Sequence, residues 1–539
     1  MYSSLHNHSD ASFCDGFSKP IEYLQKAKDL GLKALAITEH GGFESAPYID
    51  ILSKDFPEVK IIFGCEMYEC FDVEVKDPDH KYFHLIVLCK NERGRQALNK
   101  LITESNFKGF YYKPRVDIKM IEPYADDLII CSACLASKLA RESDYAKCLQ
   151  YLEEYKSAFP NFFLEMQSHR SDDQVNYNRK ILQLSRETGT PYIITTDSHV
   201  VNKGDLYYQA RFVQIARDSD TLSESYEDCY LQSEDEIHSI MDQQIGYENV
   251  CVGLNNTNKI ADMCEEVHLP FSVPKIPSFQ IDPRFNSDYE QIKYLCEQGW
   301  KARKIDEMSD EDIKVRRARY EYELSVIHEM GFVSYFLIVW DFIKWARDNG
   351  VVVGDGRGSA GGSIICYLLG ISALDPIKYD LIFERFLNKE RISLPDVDVD
   401  FADRDKVIEY LTNKYGQDHV CQIMSFSEIT PTVAIKDVAR VLGIPYKVSD
   451  TIAKSFTYPT FDECIEYNPQ IVEKYAEYSE LFDIAKHLCG KYRQTGIHAG
   501  GLGIVDKEVV YYMPMKQGKN GLIISYQGIK KQHLWIRFL

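Results

Sequence analysis

Two groups of side chains in this 539-residue chain have types and spacings that can do chemistry. The first opens with His6-Asn7-His8 and Asp15 and continues with His40, Glu66, Cys134 and Asp197-Ser198-His199. Most of these residues stand just past the end of a short apolar run. In a wound α/β fold or a barrel, that rim is where side chains from separate strands converge. Imidazole and carboxylate together suit zinc, manganese or iron, and more than four such groups imply more than one ion. Each piece alone is ordinary. An isolated His-x-His or Asp-x-His is usually packed or solvated, Glu66 alone reads as a loop residue and Cys134 as core. Recurrence at successive strand ends is what argues for a metal centre. Clustered divalent ions activate water and neutralise charge on a phosphoester, so phosphoester hydrolysis is the chemistry expected. His84 begins its apolar run instead of ending it, so position alone supports it less.

The second group is a glycine-rich loop and an acidic segment. Val351-Val352-Val353 leads into Gly354-Asp355-Gly356-Arg357-Gly358-Ser359-Ala360-Gly361-Gly362-Ser363, and the apolar run Ile364 to Leu369 follows. Glycines let backbone N–H groups approach a phosphate, and a helix N-terminus adds a favourable field. No Lys-Ser/Thr follows the last glycine, so this is not the Walker pattern, and a glycine-rich packing turn is the plain alternative. Further on, alternation in Pro395-Asp396-Val397-Asp398-Val399-Asp400 puts the three aspartates on one face of a strand. Same-face carboxylates repel unless cations lie between them. Spaced roughly 6–7 Å apart, they can converge on two magnesium ions for in-line phosphoryl transfer. A solvated acidic edge is the bland reading. Arg385, Lys389, Arg391, Lys436, Arg440, Lys491 and Arg493 surround these elements and could meet triphosphate or template phosphates.

The elements that must position these groups are legible in outline. Ala34–Thr38, Val59–Phe63, His84–Leu88, Leu128–Cys131 and Tyr192–Thr195 are short apolar runs that read as buried strands of a parallel sheet. Amphipathic stretches lie between them, one carrying Ile21, Leu24, Ala27 and Leu30, another running from Tyr145 to Ala158. Strand and helix in alternation predict a wound α/β fold or barrel. Prolines 270, 274 and 277 mark a boundary. Beyond it come a charged helix from Asp310 capped by Ser309, an aromatic helix through Tyr335-Phe336-Leu337, and a mostly helical region over 428–505.

The composition is 45% hydrophobic and 27% charged, that of a globular protein. The chain is long enough for three or four folding units. No run of about 18 apolar residues predicts a membrane span. The first residues lack an export signal, so a cytoplasmic location and reduced thiols are expected for the 15 cysteines. A net charge of −20 argues against non-specific polyanion binding and leaves room only for a local basic groove.

At this point the motifs GDGRGSAGGS, LDPIKYDLIFERFLNKERISLPDVDVDF, AIKDVARVLGIPY and TGIHAGG resemble the palm and thumb of the bacterial DNA polymerase III alpha subunit, family C. The opening HNHSDASFCDG, with ITEH, GCEMY and TTDSH, resembles the polymerase-and-histidinol-phosphatase (PHP) domain that precedes that palm. The resemblance runs to about residue 527. It implies a PHP (β/α)7-type distorted barrel over 1–270, an α+β palm over 271–427, a helical thumb over 428–505 and an incomplete return to the palm over 506–539. It implies PHP metal ligands at His6, His8, Asp15, His40, Glu66, His84, Cys134, Asp197 and His199, holding zinc, manganese or iron. A full set of nine goes with 3′–5′ exonuclease proofreading in that family, so an active nuclease site is expected. In the palm it implies Asp396 and Asp398 as the catalytic, magnesium-binding pair, with Arg357, Gly358 and Ser359 receiving the triphosphate. The implied partners are primer–template DNA, deoxynucleoside triphosphates and replisome subunits. The family's third catalytic aspartate has no counterpart, since no acidic residue follows Gln527, and the clamp-binding region is absent. Synthesis by the chain as written is therefore not expected, and a stand-alone PHP nuclease or phosphoesterase is the alternative reading. A third is a non-catalytic remnant whose metals only hold the fold together.

Overall fold

A computed structural model describes residues 1–219, 221–222, 227–270, 276–389, 395–518 and 521–524. The N-terminal unit is built on β1 (Ala34–His40), β2 (Lys60–Glu69), β3 (Phe83–Cys89), β4 (Arg115–Val116), β5 (Leu128–Cys131), β6 (Phe162–Gln167) and β7 (Tyr192–Thr195). The sheet order is β1-β2-β3-β5-β6-β7, with β4 added beside β2. The pleat sends alternate residues to two cores. Leu35, Ile37, Phe63, Met67, Leu85 and Leu164 pack outward with helix residues such as Tyr23, Leu24, Leu98 and Leu152. Ala34, Ala36, Ile62, Ile86, Ile129 and Ile193 fill a smaller inner core with Leu5. The N-terminal segment spans the two sheet edges, bridging Ser4 to Leu35 on β1 and Asn7 to Ser198 just past β7. That closure makes the sheet a distorted barrel.

The expectation of an all-parallel sheet is corrected at one strand. β3 runs antiparallel to both β2 and β5, whereas β1–β2, β5–β6 and β6–β7 are parallel. The link from β2 to β3 covers only 70–82, without the crossover helix that a parallel return requires. The reversal explains His84. The start of an antiparallel strand lies on the same rim as the ends of its parallel neighbours, and His84 pairs in register with Tyr68 near the end of β2.

The C-terminal unit combines a helical core with a second sheet. Ser309 caps the helix Asp310–Glu329 by accepting from the Asp312 N–H. The next helix, Val333–Asp348, is apolar nearly all round and buries Tyr335, Phe336, Leu337, Ile338, Val339, Phe342 and Ile343, as an interior helix must. No single helix among the described residues is long and apolar enough to cross a membrane. The sheet has the order β10-β11-β8-β9, from β8 (Val420–Glu428), β9 (Tyr492–Ile504), β10 (Met515–Gly518) and β11 (Gly521–Ile524). The reading of 428–505 as mostly helical holds from Pro431 to Leu488, after which β9 returns antiparallel along β8. The apolar runs at 351–353 and 395–401 form no regular strand. They lie antiparallel through isolated bridges, Val353 to Phe401 and Arg357 to Asp398, whose registers differ by one residue. The tail from Ser525 to Leu539, and Arg391, lie outside the described residues.

The two units share buried surface. Arg95, fully buried on the helix Glu92–Phe107, donates to the carbonyls of Tyr511 and Tyr512 at 3.2 Å each. Asn99 donates to the Val510 carbonyl, and the Thr103 hydroxyl accepts from the Met515 N–H. On the opposite side the Ser9–Ser18 loop meets the β8–β9 pair, where Phe13 stacks on Phe426 at 5.5 Å.

Candidate metal centre and nucleotide site

The N-terminal rim gathers all nine side chains singled out in the sequence. Ligand-type atoms fall into three overlapping triads: His8, His40 and His199; His6, His8 and Glu66; His40, Glu66 and His84. Glu66 is the hub. Its carboxylate lies 2.5 Å from His40 Nδ1, 2.9 Å from His84 Nδ1 and 3.3 Å from His6 Nε2. Asp15 reaches His40 Nε2 at 3.0 Å and His199 Nε2 at 3.6 Å. Cys134 Sγ stands 3.5 Å from His84 Nδ1 and 3.8 Å from Glu66 Oε1. Asp197 Oδ1 faces the Nε2 atoms of His6 and His8 at 3.2 and 3.3 Å.

The backbone is bent to aim these groups. Cys14, Ala133 and Asp197 hold left-handed φ values of 63°, 59° and 46°, a conformation that non-glycine residues adopt rarely and at a cost. Each lies at or next to a candidate ligand. Side chains behind the rim fix the rings. Glu165 on β6 is completely buried, 2.7 Å from His6 Nδ1, and accepts from the Thr195 hydroxyl at 2.6 Å. With its Nδ1–H given to a carboxylate, His6 turns Nε2 toward the centre, the arrangement that orients a metal-bound imidazole. Ser12 does the same for His8 Nδ1 at 3.2 Å, and the Asp197 carbonyl for His199 Nδ1 at 2.9 Å. Glu165 and Ser12 escaped the sequence reading. Glu165 stands at the middle of a strand whose apolar alternation is broken by Glu165 and Gln167 themselves.

The electrostatics are those of a crowded donor set. Burial pushes the Glu66 carboxyl up, but His84 and His40 outweigh it and hold it well below the usual carboxylate range. Burial likewise opposes Asp15 and Asp197, and neighbouring histidines pull both down. Burial, with His40 and His199 alongside, drives His8 down to about 3, leaving a neutral ring with a free lone pair. Burial and the charges of Glu66 and Asp197 push the Cys134 thiol well up, so a thiolate there needs a cation beside it. Asp197 Oδ1 is buried without a hydrogen bond, although imidazole nitrogens ring it. At His6, His8 and His199 Nδ1 is turned to a partner behind the rim, which leaves Nε2 for the centre, an arrangement that fits divalent cations.

The second constellation is open and sparser. Asp396, Asp398 and Asp400 are exposed while Val397 and Val399 are buried, so the alternation survives without a regular strand. Tyr335, buried beneath, accepts from the Val397 N–H. Arg357, Gly358 and Ser359 are exposed on the same surface, and Arg357 pairs with Asp400 at 3.0 Å. Gly358 holds a φ of 68°, and a Cβ there would stand 3.1 Å from Asp398 Oδ2, so glycine keeps that carboxylate clear. Among the described residues, no triad of ligand atoms forms around Asp396 and Asp398. Several of the surrounding cations are engaged: Lys389 with Glu329, Lys436 with Asp450, Arg440 with Asp218, Lys491 with Glu22 and Arg493 with Asp437.

Comparison with known proteins agrees with this two-part layout. The PHP domain family matches residues 4–169, and the bacterial DNA polymerase III alpha NTPase domain matches residues 290–533. Curated relatives named DNA polymerase III subunit alpha match nearly the whole chain. The protein from Borreliella burgdorferi is 37% identical over 96% of this chain and 46% of its own length. The Treponema pallidum protein is 36% identical over 97% and 46%, and the Aquifex aeolicus protein 33% over 98% and 50%. The chain thus spans about half the length of the relatives it matches. With a PHP domain and an NTPase domain in that order, it belongs to the bacterial DNA polymerase III alpha-subunit family.

Proposed function

We propose that this chain is part of a replicative DNA-directed DNA polymerase and that its PHP site is a metal-dependent 3′–5′ exonuclease acting on DNA. The single observation that carries the nuclease reading is the set of three ligand triads sharing His8, His40 and Glu66. The proposed ligands are His6, His8, Asp15, His40, Glu66, His84, Cys134, Asp197 and His199, with zinc, manganese or iron as the ions. When bound, such ions supply an activated water and neutralise charge on the phosphodiester. The protein's own part is orientation. Glu165 and Ser12 lock two rings, and Glu66 holds three imidazoles around one carboxylate.

In the second domain the proposed catalytic pair is Asp396 and Asp398, which would hold magnesium. Arg357, Gly358 and Ser359 would receive the incoming triphosphate, and the primer 3′-hydroxyl would attack its α-phosphate, breaking the α–β phosphoanhydride bond and releasing pyrophosphate. Proposed domain limits are 1–270 for the PHP unit, 271–427 for the palm, 428–505 for the thumb and 506–539 for the return to the palm. Within the proposed thumb limits the helices run from Pro431 to Leu488, and 492–504 forms β9, which pairs with β8. Primer–template DNA, deoxynucleoside triphosphates and replisome subunits are the proposed partners, and the cytoplasm the proposed location. A stand-alone nuclease is the second reading, favoured by the contrast between the gathered PHP set and the open aspartate segment. The test is a labelled primer–template with manganese, with and without nucleotides. Shortening without nucleotides is expected. No shortening under any divalent ion contradicts the nuclease reading, and extension when nucleotides are added rejects the stand-alone one.

A further inference from the structure

Next to the metal centre the chain builds a turn that the proposed hydrolysis leaves unexplained. The turn is Phe110-Tyr111-Tyr112-Lys113-Pro114. Its base is fixed by Arg115, which is buried and donates to the carbonyls of Gly109 at 2.9 Å, Val75 at 3.0 Å and Val73 at 3.0 Å. Gly109 permits the close crossing, because a Cβ there would fall 2.0 Å from the Arg115 carbonyl oxygen. At the tip Tyr112 holds a φ of 62°, a conformation costly for a bulky residue. The turn leaves large apolar surface outward: Tyr112 is 63% exposed and Phe110 57%.

The turn carries charge as well. Lys113 Nζ lies 5.2 Å from the Tyr68 ring, and Lys81 Nζ lies 4.4 Å from the Tyr112 ring. Among the described residues neither lysine has a carboxylate within ion-pair distance. Tyr68 in turn stands edge-on to His84 at 5.4 Å and stacks with His40 at 6.5 Å. One ring therefore separates the Lys113 ammonium from two candidate ligands. Exposed aromatics interleaved with cations are how proteins hold single-stranded nucleic acid, the rings stacking on bases and the cations meeting phosphates.

Resting on the exonuclease reading, we propose that this turn is the lip that holds the terminal nucleotides of single-stranded DNA at the metal centre. Tyr112 stacks on a base, and Lys113 and Lys81 meet backbone phosphates. A single strand ending in 3′ 5-iododeoxyuridine, irradiated with the full chain in EDTA, tests the placement without hydrolysis. The expected adduct lies within 110–113. An adduct confined to 350–400 overturns the proposal. In the same buffer, Lys113→Ala is expected to lower the salt slope of oligonucleotide binding by about 0.7, the loss of one single-strand phosphate contact. An unchanged slope also overturns it. With manganese present, Tyr112→Ala is expected to lose at least about ten-fold more activity on a single strand than on a small chromogenic phosphodiester. Equal losses contradict the lip. An adduct within 110–113 in a chain that hydrolyses neither substrate upholds the lip and rejects the exonuclease.

Discussion

Glu165→Gln separates a metal-orienting role from a merely structural one. Glu165 is completely buried, and its carboxylate accepts from the Thr195 hydroxyl and faces His6 Nδ1. Glutamine keeps the shape, and its Oε1 can still accept from both His6 and Thr195, but it removes the charge that makes His6 a stronger donor to a cation. Changes of this kind cost about 10–100-fold in metal affinity, or roughly 1.4–2.7 kcal/mol. With manganese at about 100 times the parent's dissociation constant, binding stabilises the parent by about 2.7 kcal/mol and a variant weakened 100-fold by only about 0.4. A unit near 250 residues shifts by about 2–4 °C per kcal/mol, so the metal-induced rise in Tm should be smaller in the variant by about 3–5 °C for a ten-fold loss of affinity and about 5–9 °C for a 100-fold loss. Thermal melts of both proteins, each with EDTA and with manganese, read this difference directly. Calorimetric titration gives the affinities. An equal metal-induced rise in both proteins, with affinities within two-fold, would refute the role given to Glu165.

Four further outcomes are expected. Arg95→Ala strips two buried carbonyls of their donor and should destabilise by roughly 2–4 kcal/mol, read as a lower Tm and faster proteolysis near 509–524; wild-type behaviour would remove Arg95 from the interface account. Gly299→Ala should destabilise despite better helix propensity, because its Cβ would lie 1.9 Å from the Leu368 carbonyl oxygen, and an unchanged melt would contradict that packing. In a full-length relative's context, Asp398→Asn should abolish nucleotide incorporation while primer binding stays nearly intact; normal incorporation would reject the assignment. Chelation of the untreated chain should lower Tm and stop primer shortening together, and a Tm loss in a chain that never shortens primer would point to a purely structural role for the metals.

The sequence made most of the N-terminal centre legible because ligands at strand ends leave a residue-by-residue trace. His40 and Glu66 close or follow plain apolar runs, and β1 and β2 carry them where expected. His84 read poorly for a topological reason, since direction within a sheet is set by the connection and not by the strand's own residues. β6 was missed because Glu165 and Gln167 face the interior, and polar residues at alternate positions erase the apolar run. β9 was missed because its glycine-rich run, Thr495-Gly496-Ile497-His498-Ala499-Gly500-Gly501, lacks the apolar alternation of a strand, although Thr495, Gly496 and Ile497 pair along β8. Supporting groups such as Ser12 and Arg115 carry no local signal, because Ser12 is tied to Glu39 and the His40 N–H far along the chain and Arg115 meets backbone carbonyls. The alternation of Asp396, Asp398 and Asp400 was read correctly as a face, but the segment meets the glycine loop only through two isolated bridges that are out of register by one residue.

Anomalous diffraction at the manganese edge, from crystals of the chain grown with manganese, tests the polynuclear centre most directly. The expected map shows two or more peaks about 4 Å apart, among His8, His40 and Glu66. A map with no peak there, and those side chains still in contact with one another, would contradict it.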